Sequence, residues 1–209
     1  MKRCFVFSAG SFYGLRERPE PGDFVVAADA GYEVCRRAGV TPDLIIGDFD
    51  SMEEPDVSVP VERVPVEKDD TDTMLAVRAG AERGCTEFHL YGATGGKRLD
   101  HTLANFQTLL WMAHQGFRAF LYDDDFVYTA VRNGSVSIPR TVEWGLVSVF
   151  CLEEPARGVD EEGLQYPLHN AVLTADRPLA VSNHMQADTA AVSVREGTLI
   201  VGWELPARP

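Results

Sequence analysis

The chain has 209 residues, of which 32 are Asp or Glu and 19 are Lys or Arg, so its formal net charge is -13. A hydrophobic content of 45% supports a globular core and excludes a disordered chain. The negative charge argues against a nucleic-acid binder, which needs a basic face. A partner that carries phosphate would require metal ions and a few well-placed basic side chains.

Four cysteines are widely spread and form no Cys-x-x-Cys pair, which disfavours a zinc site or a redox motif. We expect buried thiols in a reducing compartment, the cytoplasm. The N-terminal Lys2-Arg3 precedes an apolar stretch that glycines interrupt and that lacks a small-x-small cleavage site, so it predicts a first strand rather than a signal peptide. No apolar run is long enough to span a membrane.

The first part of the chain alternates short apolar runs with helical patterns, which predicts a parallel sheet packed against helices. The predicted strands are 4–9, 24–28, 44–46, 61–66, 87–91 and 117–122. The predicted helices are 32–38, 71–83 and 100–115, each followed by a glycine, with Thr71 and Asp100 as N-terminal caps. In the third helix one face is apolar and is expected to be buried: Leu103, Phe106, Leu110 and Ala113.

After Asp123-Asp124-Asp125 the helical pattern ends and short strands follow. They are predicted at 126–131, 135–138, 146–152, 190–195 and 198–203. Asn133-Gly134 and Glu196-Gly197 are typical hairpin turns. This pattern predicts an antiparallel sandwich or barrel. The predicted fold is therefore α/β: an N-terminal parallel-sheet, Rossmann-like domain over residues 1–124, followed by a small all-β domain over residues 125–209, whose choice between sandwich and barrel stays open at this point.

Two aspartates follow the predicted strand 44–46 and its terminal Gly47. If the chain stays extended, Asp48 and Asp50 point the same way, because side chains alternate along a strand. Two neighbouring carboxylates repel unless a cation lies between them, and hard oxygen ligands suit Mg²⁺, which in such sites usually accompanies a phosphate substrate. Taken alone, the motif could equally be a solvated acidic turn.

Three further polar segments follow predicted strands. They are Asp29-Ala-Gly31, Lys68-Asp-Asp-Thr-Asp72, and Gly92-Ala-Thr-Gly-Gly96 running on to Arg98-Leu-Asp-His101. Since the carboxyl ends of parallel strands meet at one edge of a sheet, Asp48, Asp50, and Asp69 or Asp72 could share Mg²⁺ there. The glycines would let backbone N–H groups approach phosphate oxygens. The sequence contains neither a P-loop nor a Gly-x-Gly-x-x-Gly motif, so a nicotinamide cofactor is disfavoured.

In chain order, these segments resemble the thiamine pyrophosphokinase family. The succession Asp-Ala-Gly, Gly-Asp-Phe-Asp-Ser, Lys-Asp-x-Thr-Asp, Gly-Ala-Thr-Gly-Gly and Arg-Leu-Asp-His is similar to the family's catalytic domain. Gly163-Leu-Gln-Tyr-Pro-Leu168 and Ser182-Asn183 look like its C-terminal substrate motifs. The resemblance therefore covers nearly the whole chain.

The resemblance implies a homodimer in which an α/β domain for ATP and Mg²⁺ (residues 1–124) precedes a β-sandwich that binds thiamine (residues 125–209). It also implies the reaction: the pyrophosphoryl group of ATP is transferred to the hydroxyl of thiamine, which gives thiamine diphosphate and AMP. Nucleic acid and membrane are not expected partners.

The resemblance also assigns site residues. Mg²⁺ would be held by Asp48, Asp50 and Asp72, and these carboxylates together with Arg98 and Asp100 form the expected catalytic set. Further contacts to ATP are expected from a second set: Asp29, Lys68, Asp69, Thr94, Gly95 and Gly96. The thiamine contacts are expected from Tyr166, Ser182 and Asn183. Of these, Ser182 and Asn183 would reach thiamine across the dimer interface.

Two departures from the family pattern leave details open. Lys97 is inserted before Arg98, so it is open which side chain meets phosphate, and His184 stands where the family often has an acidic residue. Two other functions also stay open. One is another Mg²⁺-dependent enzyme, such as a nucleotide-sugar transferase that uses Asp48 and Asp50. The other is a non-catalytic protein of the same fold that binds thiamine or a nucleotide.

Overall fold

The chain has a mixed α/β fold. The computed structural model describes residues 1–49, 58–65, 67 and 69–208. These residues form two compact units: unit 1 comprises Met1–Trp111 and Gly116–Asp124, and unit 2 comprises Met112–Gln115 and Asp125–Pro209.

The strands of unit 1 form a parallel sheet. They are β1 (Arg3–Phe7), β2 (Phe24–Ala28), β3 (Leu44–Gly47), β4 (Val61–Arg63), β5 (Glu87–Tyr91) and β6 (Arg118–Tyr122). Their spatial order is β4-β3-β2-β1-β5-β6, and each neighbouring pair is parallel. The order reverses between β1 and β5. In open parallel sheets, ligands bind outside the carboxyl ends of the strands next to such a reversal.

The helices connect these strands as the parallel arrangement requires. They are α1 (Gly31–Ala38), α2 (Asp72–Glu82) and α3 (Leu99–His114). At the start of α2, the Thr71 hydroxyl accepts a hydrogen bond from Met74 N at 3.2 Å, as the sequence predicts. Gly39 ends α1 in the left-handed conformation, with φ 65°. The predicted cap of α3 is wrong, because the helix begins at Leu99 and Asp100 lies within its first turn.

The buried face of α3 also differs from the prediction. Leu103 is 59% exposed, whereas Asn105, Leu109 and Met112 are buried. Thr108 is also buried, although neither it nor Asn105 belongs to the predicted apolar face, whereas Leu110 is buried as predicted. Elsewhere in unit 1 the core follows the pattern, since the side chains of β1, β2 and β5 are almost wholly buried. Each large apolar side chain buried there contributes about 1.5–3 kcal/mol.

Unit 2 contains two antiparallel sheets. Its strands are β7 (Phe126–Arg132), β8 (Ser135–Pro139), β9 (Leu146–Phe150), β10 (Ala156–Glu162), β11 (Leu168–Leu173), β12 (Ala180–His184), β13 (Thr189–Glu196) and β14 (Thr198–Glu204). One sheet has the order β12-β9-β14-β7 and the other β11-β10-β13-β8. Strand β13 contacts both β7 and β14 of the opposite sheet. The core lies between the sheets and includes Ile138, Val192, Leu199 and Ile200.

The two turns predicted to form hairpins connect strands that belong to different sheets, so the hairpin prediction is wrong. Asn133-Gly134 links β7 to β8, and Gly197 links β13 to β14, but neither pair is hydrogen-bonded as a ladder. The two turns instead bind each other. Asn133 N donates to Gly197 O at 3.1 Å, and Gly197 N donates to Asn133 Oδ1 at 2.9 Å. The turn residues were identified correctly, but their partner is the other turn.

Other findings bear on the composition. All four cysteines are buried and free, as predicted: Cys4, Cys35, Cys85 and Cys151. Burial raises the pKa of the Cys4 and Cys35 thiols well above their usual value, so both are inert at neutral pH. In the part of the chain that the structure describes, no helix combines the length and apolar character needed to cross a membrane.

Candidate functional site

Two aspartates meet where β2 and β3 end. The strands pair in register at Ala28 and Ile46, and Asp29 N donates to Ile46 O at 2.8 Å. Gly47 packs so tightly that a Cβ added to it would lie 2.9 Å from the Cα of Asp29. The next residue, Asp48, therefore leaves β3 at the same strand ends as Asp29. Asp29 is buried, and Asp48 is half-buried.

The backbone at this edge is strained. Asp29 has φ 48° and Phe49 has φ 56°, both in the left-handed region that non-glycine residues rarely adopt. Such strain costs about 1–3 kcal/mol per residue and is concentrated at functional sites. The left-handed Phe49 also means that the chain does not stay extended after Asp48, so the condition for the predicted alternation of Asp48 and Asp50 is not met. Asp50 itself lies outside the described residues.

A third carboxylate lies at the start of α2. The hydroxyls of Ser8 and Thr73 are 2.8 Å apart, which fixes the first turn of α2 at the carboxyl end of β1. Asp72, in that first turn, is half-buried and favourable to the helix dipole. The preceding Asp69 is exposed, and Lys68 lies outside the described residues.

The loop that follows β5 packs closely against the loop that follows β1. Gly10 N donates to Gly92 O at 2.7 Å, and Ser11 N donates to Thr94 O at 2.8 Å. A Cβ on Gly10 would overlap the carbonyl oxygens of Gly92 and Thr94, so only glycine permits this approach. The two loops meet at the reversal of strand order between β1 and β5.

The tip of the same loop is exposed, whereas its base is buried. Gly95 and Gly96 are exposed and have φ values of 67° and 76°. The Gly96 N–H donates to the Ser11 hydroxyl at 3.0 Å. Thr94 is 5% exposed, and its hydroxyl donates to Asp123 Oδ1 at 2.7 Å. Thr94 thus holds the loop from within, while the glycines leave the main chain open to a ligand.

Arg98 and Asp100 form an exposed ion pair after the loop. Arg98 Nη2 lies 2.6 Å from Asp100 Oδ2, and Arg98 Nε also donates to this carboxylate. The guanidinium lowers the pKa of Asp100 to about 2, so its carboxylate is charged at neutral pH. The inserted Lys97 is exposed as well.

Several residues that support this edge were missed by the sequence analysis. Asn105 on α3 is buried, and its Nδ2 donates to Ala93 O at 2.7 Å, which anchors the glycine loop. Ser11 and Asp123 bind the same loop, as described above. Asp123 could have been found, because it follows a predicted parallel strand just as Asp29 and Asp48 do. Ser11 and Asn105 carry no such signal.

The donor chemistry at this edge fits Mg²⁺. Asp29, Asp48 and Asp72 offer hard carboxylate oxygens at the strand and helix ends that converge there. Within residues 1–49, 58–65, 67 and 69–208, no group of three or more acidic, His or Cys side chains is drawn together tightly enough to form a metal cluster. The fit therefore rests on the type of donor and on its placement at one sheet edge.

In unit 2, Tyr166 and Asn183 are joined by a pair of hydrogen bonds. Tyr166 N donates to Asn183 Oδ1 at 3.0 Å, and Asn183 Nδ2 donates to Tyr166 O at 2.8 Å. The Asn183 side chain is 5% exposed, whereas Tyr166 is 66% exposed. Asn183 thus fixes the main chain of a residue whose ring is left open to solvent.

Ser182 and His184 flank Asn183 on β12. Ser182 is exposed, has φ 59°, and its N–H donates to the Ser148 hydroxyl at 3.0 Å. The pairing of β12 with β9 is irregular between Ala180 and Asn183, and this irregularity turns Ser182 outward. The Nδ1 atom of His184 lies 3.1 Å from the carbonyl oxygen of Trp144. His184, which stands where the family often has an acidic residue, therefore has a hydrogen-bond partner within unit 2.

Comparisons with known proteins point to one family. A family model described as "Thiamin pyrophosphokinase, catalytic domain" matches residues 18–121, and one described as "Thiamin pyrophosphokinase, vitamin B1 binding domain" matches residues 135–199. The chain is 28% identical over 182 residues to the thiamine pyrophosphokinase of Bacillus subtilis, covering 84% of this chain and 85% of that protein.

Solved structures agree with this. The crystal structure of the Bacillus subtilis thiamine pyrophosphokinase has a TM-score of 0.84 at 24% identity, covering 98% of this chain and 100% of the other. That of the Geobacillus thermodenitrificans thiamin pyrophosphokinase has a TM-score of 0.83 at 26% identity, covering 99% and 98%. The two family models together span most of the chain, and they confirm the family predicted from the sequence. This chain belongs to the thiamine pyrophosphokinase family.

Proposed function

We propose that this chain transfers the pyrophosphoryl group of ATP to thiamine, the reaction of its family, and so makes thiamine diphosphate and AMP. One observation supports this most directly. The end of β2 places Asp29 against Gly47, the residue before Asp48, at the same sheet edge as the glycine loop after β5. Carboxylates at these strand ends, beside a loop open to phosphate, suit a metal-bound nucleotide.

The ATP and Mg²⁺ site is proposed at the strand ends of residues 1–124. Mg²⁺ would be held by Asp48 and Asp72, together with Asp50. When bound, Mg²⁺ supplies positive charge that offsets the charge of the triphosphate. Further contacts to the nucleotide are proposed for Asp29, Lys68, Asp69, Thr94, Gly95 and Gly96. The reversal of strand order between β1 and β5 supports the Rossmann-like description of this domain.

The thiamine site is proposed in the β-sandwich of residues 125–209. The exposed ring of Tyr166 is available to stack on a cationic or aromatic ligand. Ser182 and Asn183 complete this site. A homodimer in the cytoplasm, where the four buried thiols stay reduced, remains part of the proposal.

The proposed chemistry needs positioning more than covalent help from the protein. The hydroxyl oxygen of thiamine attacks the β-phosphorus of ATP, the bond to the α-phosphate oxygen breaks, and AMP leaves. An aspartate of the sheet edge accepts the hydroxyl proton. Charge builds on phosphate oxygens, so Arg98, paired with Asp100 in the structure, is placed to offset it. The bidentate pair also presents the guanidinium in a fixed orientation.

The first test is AMP release from Mg-ATP, with and without thiamine, in wild type and in Asp48→Asn. We expect thiamine-dependent AMP and thiamine diphosphate from wild type. We expect a loss of about 10²- to 10³-fold in the variant, as when one transition-state contact is removed. The control is Glu62→Gln, which removes an exposed carboxylate from β4, the strand next to β3.

The outcomes separate the three functions. Thiamine-dependent AMP that is lost in Asp48→Asn and kept in Glu62→Gln supports the kinase. Turnover of a sugar nucleotide without thiamine supports a transferase instead. Tight thiamine binding with no AMP from folded wild-type protein supports a non-catalytic binding protein.

A further inference from the structure

A buried carboxyl group lies behind the Tyr166–Asn183 pair. The Nδ2 atom of Asn183 has two hydrogens, and one is donated to Tyr166 O. Nδ2 also lies 3.2 Å from Oε2 of Glu161 on β10, which accepts from it. The side chain of Asn183 therefore joins an exposed loop residue to an acid in the interior of unit 2.

Glu161 is placed where an apolar residue would be expected. It is 1% exposed and lies in register between Leu168 on β11 and Val192 on β13. Its Oε1 atom is buried, and no described residue offers it a hydrogen bond. Burying such a group costs free energy, which an apolar side chain would avoid. The one polar contact that the structure records for this carboxyl group is the bond to Asn183.

The bond to Glu161 reinforces the orientation of the Asn183 amide. The main chain of Tyr166 already favours Nδ2 toward its C=O and Oδ1 toward its N–H. The same Nδ2 donates to Glu161 Oε2, and a flipped amide would instead place its oxygen against that atom. This contact is repulsive when Glu161 is ionised, so the carboxylate adds to the preference for the orientation that holds Tyr166.

We propose that Glu161 is a positioning residue for thiamine, which acts through Asn183 to fix the main chain beneath the Tyr166 ring. This inference rests on the proposed function, because it takes Tyr166 as a thiamine contact. Glu161 does not touch the ligand in this scheme. Its effect is expected in the KM for thiamine and not in the KM for ATP.

The strength of this contact depends on pH. Burial raises the pKa of Glu161 to about 7, and the hydrogen bond from Asn183 opposes that rise. A carboxylate accepts a stronger hydrogen bond than the neutral acid does, so Tyr166 is held more firmly above pH 7. The other titratable and charged side chains of β10 to β13 are all exposed or half-buried: Arg157, Asp160, Glu162, His169, His184, Arg195 and Glu196.

The experiment measures the KM for thiamine and the KM for Mg-ATP from about pH 6 to about pH 8.5. The variants are Glu161→Gln, which can accept from Asn183 but cannot ionise, and Glu161→Leu, which can do neither. The matched control is Glu162→Gln, which removes the neighbouring, exposed carboxylate of the same strand. Thermal unfolding checks that each variant is folded.

We expect the KM for thiamine of wild type to fall by about fivefold relative to Glu161→Gln as the pH rises through 7, since charge strengthens the bond by about 1 kcal/mol. Glu161→Leu should raise this KM at every pH. Glu162→Gln should follow wild type, and the KM for ATP should not change. If Glu161→Leu does not fold, the pH dependence of the KM for thiamine in wild type and in Glu161→Gln still tests the proposal.

Three results would overturn the inference, and they differ from one another. If both Glu161 variants follow wild type while Tyr166→Ala raises the KM for thiamine, Tyr166 binds thiamine without help from Glu161. If Tyr166→Ala leaves the KM unchanged, the premise of a Tyr166 contact is wrong. If wild type releases no AMP, the proposed function fails, together with the inference that depends on it.

Discussion

The two candidate sites are constructed differently. At the sheet edge of unit 1, the main chain sets the geometry: strand ends, left-handed Asp29 and Phe49, and loops in contact at Gly10. In unit 2, a side chain completes the geometry: Gln165 N bonds to His184 O in the main chain, and the amide of Asn183 holds the backbone of Tyr166. A site held by its main chain tolerates many side-chain changes but no added Cβ atom at its contacts. A site completed by one amide is sensitive to that amide and to the groups that orient it.

The largest effect is expected where the main-chain contact of unit 1 is broken. In Gly10→Ala, the new Cβ would overlap the carbonyl oxygens of Gly92 and Thr94, so both loops must move. We expect the free energy of unfolding to fall by at least about 3 kcal/mol. Denaturant unfolding measures the loss, and hydrogen–deuterium exchange should locate it in unit 1.

A matched control is Gly134→Ala, in which the nearest atom would lie 3.5 Å from the new Cβ and φ is not in the left-handed region. This variant should remain within about 0.5 kcal/mol of wild type. Wild-type stability and activity in Gly10→Ala would show that the loops of unit 1 can shift freely, and the comparison of the two sites would then fail.

A smaller effect is expected when the amide of unit 2 is removed. Asn183→Ala leaves the N–H and C=O of Tyr166 and the carboxyl group of Glu161 without this partner, which should cost about 2 kcal/mol. Hydrogen–deuterium exchange should increase at the Tyr166 amide, while the Gln165 amide keeps its bond to His184 O, and the KM for thiamine should rise. Gln165→Ala, at an exposed neighbouring position, should change neither. Unchanged exchange in Asn183→Ala would mean that the loop is held by other contacts.

Measured per pH unit, the smallest effect is the pH dependence that Glu161 gives to unit 2. Its folded pKa of about 7 lies above the ordinary value of 4.5, so folded protein keeps a proton that unfolded protein releases between these values. The stability from this proton is present in full below pH 4.5 and is lost as the pH rises through 7. The slope is at most about 1.4 kcal/mol per pH unit.

The measurement is the free energy of unfolding of wild type minus that of Glu161→Gln, because other carboxyl groups cancel in this difference. The difference should become more negative from about pH 5 to about pH 7 and then level off. A difference that stays constant with pH would mean that Glu161 titrates alike in the folded and unfolded chain.

The sequence allowed most of unit 1 to be predicted and less of unit 2. Strands β2 and β5 coincide with their predicted ranges, because buried parallel strands are continuous apolar runs. Strands β10, β11 and β12 were missed, since polar residues interrupt the apolar pattern of each. Their apolar faces become evident only once the opposite sheet is known.

The sites divide in the same way. Asp29 and Asp48 could be placed together from the sequence, because both follow predicted parallel strands. The bend at Phe49 could not be predicted from the sequence, since no local sequence signal indicates its left-handed φ. Glu161 was also beyond prediction, because a buried acid in Val-Asp-Glu-Glu-Gly looks like part of an exposed, charged strand end.

The two turns of unit 2 that bind each other, Asn133-Gly134 and Gly197, have a consequence for assembly. The connection between β13 and β14 is the single residue Gly197, and a short hinge before a terminal strand favours exchange of that strand between two copies of a chain. Here Asn133 binds both the N–H and the C=O of that hinge. Opening the hinge would break both bonds at once, so these bonds oppose the release of β14 from its own chain.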